Sequence, residues 1–257
     1  MLTFFDIAPV WGWAIALAVA VCAGLVKGMV GFAMPTVLIA GLGTMMPVDL
    51  ALAGLILPTL AANLWQALRQ GVGAALASIR RFRVFLLAGA VVMVAAAQAV
   101  PVLPPWAMFL FIGPLITAYA LSTLLGRGLR VSKDGGARSE AGMGALAGLF
   151  GGISGIWGPP TVAMLVARGT QKAEQMRVQG VIYGLGAVLL LASHLGSGVL
   201  RAETVPLSLA LVPPALLGIG LGFWLQDRLN QDTFRKVTLW VLLLAGLNLI
   251  RRGVMLL

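Results

Sequence analysis

Glycine, proline and threonine recur in one arrangement at two places in the sequence, and this arrangement is suited to binding an anion. Glycine permits sharp backbone turns and proline lacks an N–H, so each copy predicts that one helix ends and another begins. The free N–H groups and positive dipole end of the second helix then form a site for an anion. The glycines of the copies lie 124 residues apart and the prolines 125. The copies are Gly28, Gly31, Pro35 and Thr36, and Gly152, Gly155, Pro160 and Thr161.

The second copy carries further groups that can contact an anion. Ser154 has a hydroxyl that can donate a hydrogen bond, and Trp157 offers an indole N–H and a pocket wall just before Gly158 and Pro159. Both have an alternative interpretation, because serine in membrane helices often bonds its own backbone and tryptophan often marks an interface. Each copy also begins with two glycines spaced four residues apart, which is typical of close helix packing. These pairs are Gly24 with Gly28, and Gly148 with Gly152.

Three polar residues outside the glycine and proline pattern are candidates for the same site. Lys27 comes directly before the first break and could pair with a bound anion, or it could extend to the cytoplasmic interface. Asn63 and Gln179 lie in the segments that follow each break. They could line a pathway or simply tie helices together.

Residue types that catalysis requires are missing from the sequence pattern. We find no carboxylate pair, no histidine or cysteine at metal-ligand spacing and no nucleophile next to a base, so we expect no enzyme activity, metal or cofactor. The acidic residues fall at loops or segment ends, and none is expected to be buried. If transport is coupled to protons, the proton is then expected to travel with the substrate, with His194 as a second option.

The composition places the chain in a membrane. Hydrophobic residues make up 60%, charged residues 10%, and the mean hydropathy is +1.00, whereas a soluble domain has about a quarter charged residues. The net charge of +10 comes from basic residues in short loops, as in topology signals, so nucleic acid is not an expected partner. The sequence predicts an all-α, polytopic integral membrane protein.

Charge and hydropathy also predict how the chain is organised. Fourteen of the 18 basic residues fall on the cytoplasmic side if each half has five membrane elements. An odd number of elements makes the halves inverted repeats, with residues 1–126 as the first, 127–140 as a cytoplasmic linker and 141–257 as the second. The predicted segments are 11–28, 34–46, 50–68, 83–100 and 106–125, then 141–157, 159–168, 175–197, 205–225 and 235–252.

The run from Gly148 to Pro160 resembles the second glycine-rich motif of the sulfite exporter TauE/SafE family of membrane permeases. The first copy is similar to the family's first motif, but Phe32, Ala33 and Met34 stand where members often have glycines. The resemblance implies a multi-pass protein of the bacterial inner membrane that transports sulfite, an organosulfonate or a related organic anion. The departure at Phe32 to Met34 favours a larger or partly apolar anion.

These observations predict a secondary transporter for a small anion, which works by alternating access between inverted repeats. Two alternatives remain at this point: a channel-like facilitator of small weak acids, and a membrane-embedded assembly or biogenesis factor. The expected partners are the anionic substrate and the lipid bilayer. The sequence leaves open whether the chain also forms a homodimer.

Overall fold

The computed structural model describes residues 10–97, 104–127, 136–154, 158–196 and 199–257. These residues form eleven helices and no strand. The helices are α1 (Val10–Val30), α2 (Met34–Leu42), α3 (Val48–Leu68), α4 (Val72–Arg81), α5 (Arg83–Ala97), α6 (Pro105–Leu124), α7 (Gly136–Ser154), α8 (Gly158–Ala167), α9 (Lys172–Gly196), α10 (Val205–Arg228) and α11 (Gln231–Val254).

Several helices are long and apolar enough to cross a bilayer. Stretches of 19 to 24 residues in α1, α3, α10 and α11 meet this requirement, and α5 and α6 contain shorter apolar segments. By contrast α2 and α8 have only 9 and 10 residues, or about 15 Å at 1.5 Å per residue. The prediction of an all-α membrane protein is confirmed.

At two places the structure has helix where a loop or linker was predicted. The interval 69–83 was expected to be a loop, but it contains α4, a short helix that ends in Arg80 and Arg81. Its apolar residues are interrupted by small and basic ones, so no run of membrane-span length marks it. In addition, α7 begins at Gly136, inside the predicted linker 127–140.

The helices group into two compact units that are each discontinuous in sequence. Unit 1 comprises residues up to Val72 and Gly180–Asn230, and within it α1 packs against α2 and α10, and α3 against α10. Unit 2 comprises Gly73–Gln179 and Gln231–Leu257, with α5 packed on α7 and α6 on α11. Each unit therefore takes helices from both predicted repeats, and the division into repeats remains a prediction.

Glycines allow the closest helix contacts in both units. In unit 1, a Cβ added to Gly28 would lie 2.7 Å from the Cα of Gly222, and one on Gly24 would lie 2.9 Å from the Ile219 nitrogen. In unit 2, a Cβ on Gly148 would lie 2.9 Å from the carbonyl carbon of Gly89. Gly24, Gly28 and Gly148 thus serve close packing, as expected of the leading glycines in each copy.

Candidate functional site

The first glycine and proline copy forms a sharp connection between α1 and α2. The helix α1 ends at Val30, and Gly31 adopts a left-handed conformation with φ of 88°. Such a conformation is readily adopted by glycine but is strained at Ala33, whose φ is 72°. Pro35 and Thr36 lie in the first turn of α2, where Ala33 provides no side-chain cap. The start of α2 therefore has N–H groups without the usual capping side chain.

Lys27 lies at the centre of a buried polar cluster in unit 1. Its side chain does not extend to the surface, since the residue is only 2% exposed. The Lys27 Nζ donates a 2.6 Å hydrogen bond to Asn63 Oδ1 and lies 3.5 Å from the Gly31 carbonyl oxygen. It also lies 5.7 Å from the centre of the Tyr183 ring, within range of a cation–π contact.

The groups around Lys27 are held by hydrogen bonds of their own. Asn63 Nδ2 donates to the Tyr183 carbonyl oxygen at 3.2 Å, which leaves Asn63 Oδ1 facing the ammonium group. Gln66 Nε2 donates to the Gly31 carbonyl oxygen at 3.2 Å. Three helices and the break after α1 thus contribute to one network, which we call the Lys27 cluster: Lys27, Gly31, Asn63, Gln66 and Tyr183.

The charge of Lys27 is balanced only by neutral groups. Within the described residues its ammonium contacts one amide oxygen, one carbonyl oxygen and one aromatic ring, and no carboxylate. An ionised group removed from water costs several kcal/mol unless it is well compensated. The Lys27 cluster is therefore electrostatically suited to accept an anion.

Polar residues line one buried face of α3, within this cluster and one turn before it. Thr59, Asn63 and Gln66 follow helical spacing, and all three are buried. The Thr59 hydroxyl has no hydrogen-bond partner among the described residues. Arg69, which directly follows α3, forms an ion pair with Asp227 and a 3.1 Å bond to Gln226 Oε1. From Thr59 to Gln66 the face provides a row of hydrogen-bonding groups about 10 Å long, at 1.5 Å per residue.

The second copy lies in unit 2 and is described in part. Gly152 and Ser154 are in the last turn of α7, and α8 begins at Gly158, with Pro159, Pro160 and Thr161 in its first turns. Thr161 is 1% exposed, and Gln179, in α9, is fully buried. Gly155 and Trp157 lie outside the described residues, as do the side chains of Ser154 and His194.

The structure adds two residues that the sequence pattern does not indicate. Tyr183 contributes its ring and its carbonyl to the Lys27 cluster, because Gly180, about one turn before it, lets α9 approach α3 closely. Glu140 is buried, so the expectation that no acidic residue is buried is wrong. Its carboxylate accepts a 3.3 Å bond from the Phe85 N–H in the first turn of α5 and lies 3.5 Å from Arg81.

The apolar helices and the buried polar cluster define a helical membrane protein. The sequence matches the profile of the family described as Sulfite exporter TauE/SafE over residues 16–249. Because this match covers nearly the whole chain, the chain belongs to that family, and it is a membrane transporter. Comparisons with curated proteins and with solved structures gave no significant match.

Proposed function

We propose that the protein is a secondary transporter for a small anion, with Lys27 as the positive charge that binds it. The substrate class that the family suggests is sulfite, an organosulfonate or a related organic anion. The observation that carries this proposal is the buried ammonium of Lys27, which has no carboxylate partner among the described residues. Intramembrane charges of this kind usually mark the substrate pathway.

The recurrence of the glycine and proline pattern in the sequence supports a further proposal, that both breaks contribute to anion binding as parts of inverted repeats. In this proposal the starts of α2 and α8 provide N–H groups near Thr36 and Thr161, and Ser154 donates its hydroxyl. Asn63 and Gln179 line the path, and Trp157 shapes the pocket. Rocking of one repeat against the other opens the anion site to each side of the membrane in turn. The membrane is the bacterial inner membrane. Any coupled proton enters together with the anion.

Uptake into proteoliposomes tests this function. We would compare sulfite, thiosulfate, sulfoacetate and acetate, with and without a pH gradient, for the unaltered protein and for Lys27→Met. Methionine keeps much of the volume of lysine and removes the charge, so the fold is expected to persist. We expect saturable uptake of at least one sulfur anion, reduced at least tenfold by Lys27→Met.

Lys236→Met is the matched control, because Lys236 lies on the exposed side of α11 and loses the same charge. It should transport as the unaltered protein does. Saturable uptake that survives Lys27→Met would remove Lys27 from the site. Uptake without saturation would favour a channel-like facilitator, and no uptake of any anion by folded protein would favour an assembly role.

A further inference from the structure

Unit 2 contains a basic cleft that the proposed transport site does not use. Its volume is about 520 Å³, and it lies where α4 ends, α5 and α7 begin and α8 ends. Four arginines and one glutamate are among its lining residues, which we call the arginine cleft: Arg80, Arg81, Arg83, Arg168 and Glu140, with Val84, Gly136 and Ala137.

The negative charge in the arginine cleft already has a structural role. Glu140 accepts the free N–H of Phe85 at the start of α5 and pairs with Arg81. Capping a helix start is a common task for a carboxylate, and it leaves Arg80, Arg83 and Arg168 without a counter-charge from Glu140. The cleft therefore has a strong preference for a negatively charged ligand.

Arg168 provides independent evidence for such a ligand. It follows α8 directly, is only 8% exposed and lines the cleft. Its Nε–H has no hydrogen-bond partner among the described residues. Leaving a charged donor buried without a partner is costly, and arginine presents a fork of donors that matches the oxygens of phosphate. A bound phosphate group would supply the missing acceptor.

The surface beside the arginine cleft combines a positive charge with an apolar strip, as binding of an anionic phospholipid requires. Arg83 begins a face of α5 that continues through Leu87, Val91 and Val94 at helical spacing, and these three residues are between 62% and 69% exposed. The face thus places a positive charge at the end of an apolar strip. Basic pockets at the ends of membrane helices are known to bind lipid headgroups, while acyl chains cover apolar helix surfaces.

We propose that the arginine cleft binds the phosphate group of an anionic phospholipid, with the acyl chains along α5. Free phosphate shares the same chemistry, and the test separates the two sources. The full-length protein, purified in detergent and stripped of lipid, would be titrated with dihexanoyl phosphatidylglycerol, with dihexanoyl phosphatidylcholine and with inorganic phosphate. Binding would be followed by native mass spectrometry and by the melting temperature.

The variants are Arg168→Gln and, in case that buried residue is needed for folding, the double variant Arg80→Gln with Arg83→Gln at exposed positions. Arg127→Gln is the matched control, because Arg127 is an exposed arginine of unit 2 that does not line the cleft. We expect saturable phosphatidylglycerol binding that weakens at least tenfold in the cleft variants and less than twofold in the control.

Each outcome decides the proposal. Binding of inorganic phosphate as tight as that of phosphatidylglycerol, with the same dependence on the cleft arginines, would identify free phosphate as the ligand. Equal binding of phosphatidylcholine, whose phosphate is balanced by the choline cation, would overturn the preference for an anionic lipid. Equal weakening by Arg127→Gln, or no effect of the double variant, would overturn the assignment of the site to the arginine cleft. None of these readouts depends on transport, so failure of the transport proposal would leave this test unchanged.

Discussion

At the scale of single residues, the central feature is a lysine whose hydrogen-bond partners among the described residues are all neutral. A carboxylate next to Lys27 would satisfy the ammonium permanently and leave nothing for a substrate. Asn63 instead offers a carbonyl dipole, which holds the ammonium in place while its charge stays available. In the proposed function, the amide at position 63 is thus a condition for anion binding.

Asn63→Asp should convert the proposed anion site into an internal ion pair. The new carboxylate would occupy the position of Asn63 Oδ1, 2.6 Å from Lys27 Nζ, and compete with the anion. We expect KM for the transported anion to rise at least tenfold, equivalent to about 1.4 kcal/mol, with little loss of folding stability. The measurement is uptake as a function of anion concentration, together with the melting temperature.

Asn248→Asp makes the same change at an amide that also bonds a cation, Arg251, in a more exposed part of α11. Its KM should stay within twofold of that of the unaltered protein. An unchanged KM for Asn63→Asp would show that the anion does not approach Lys27.

Much of the Lys27 cluster could be recognised one residue at a time, but its assembly could not. Lys27 stands out because a charge precedes a helix break, and Asn63 because an amide lies in an apolar segment. Their pairing depends on how α1 and α3 pack, and the hydrophobic periodicity of the sequence does not indicate which helices pack together. Tyr183 was missed because tyrosine in a membrane helix is unremarkable, and its role follows from the close approach of α9 to α3.

At the scale of elements, small residues set how closely the helices pack. Gly218 on α10 faces α1, where an added Cβ would lie 2.9 Å from the nitrogen of Leu25. Such contacts let two backbones approach and replace the hydrophobic effect, which does not drive helix association within lipid. Ten of the eleven helices that the described residues form were predictable from hydropathy, whereas α4 was not, because it is short and carries basic residues.

Gly218→Ala should therefore destabilise the protein by about 1–3 kcal/mol, as overpacking does elsewhere. Gly73→Ala is the matched control, since Gly73 lies in α4 with no atom within 4 Å of an added Cβ. It should be neutral or stabilising by up to about 1 kcal/mol, because alanine favours helix. Thermal unfolding in detergent measures both. Equal melting temperatures for the two variants would contradict the role of close packing.

At the scale of the whole chain, the compact units and the sequence order do not coincide. In unit 1, α1 packs on α10, and in unit 2, α5 packs on α7, so in each pair one helix comes from before residue 127 and one from after it. The repeated motif indicated two related halves. Nothing in the sequence pattern indicated that helices of one half pack against helices of the other. The inverted orientation of the halves remains a prediction from loop charges.

Because each compact unit combines helices from both halves of the sequence, we predict that neither half folds by itself. Residues 1–127 and 128–257, produced separately, should aggregate or be degraded, because α1 and α7 each lack the helix they pack against. Produced together, they should assemble into a species with a melting temperature within about 10 °C of the intact chain. Size-exclusion chromatography and thermal unfolding provide the comparison. A stable, monodisperse 1–127 fragment would contradict this prediction.

The packing of α1 on α10 also has a consequence for biosynthesis. Translation must add residues 31–204 after α1 is complete before its partner helix begins at Val205. At about 5–20 residues per second, this interval lasts roughly 10 to 35 s. Throughout that time the glycine face of α1 waits in the membrane without its partner. The nascent chain is therefore vulnerable to membrane proteases and to incorrect helix pairing from the completion of α1 until α10 is made, and slow codons before α10 would extend that risk.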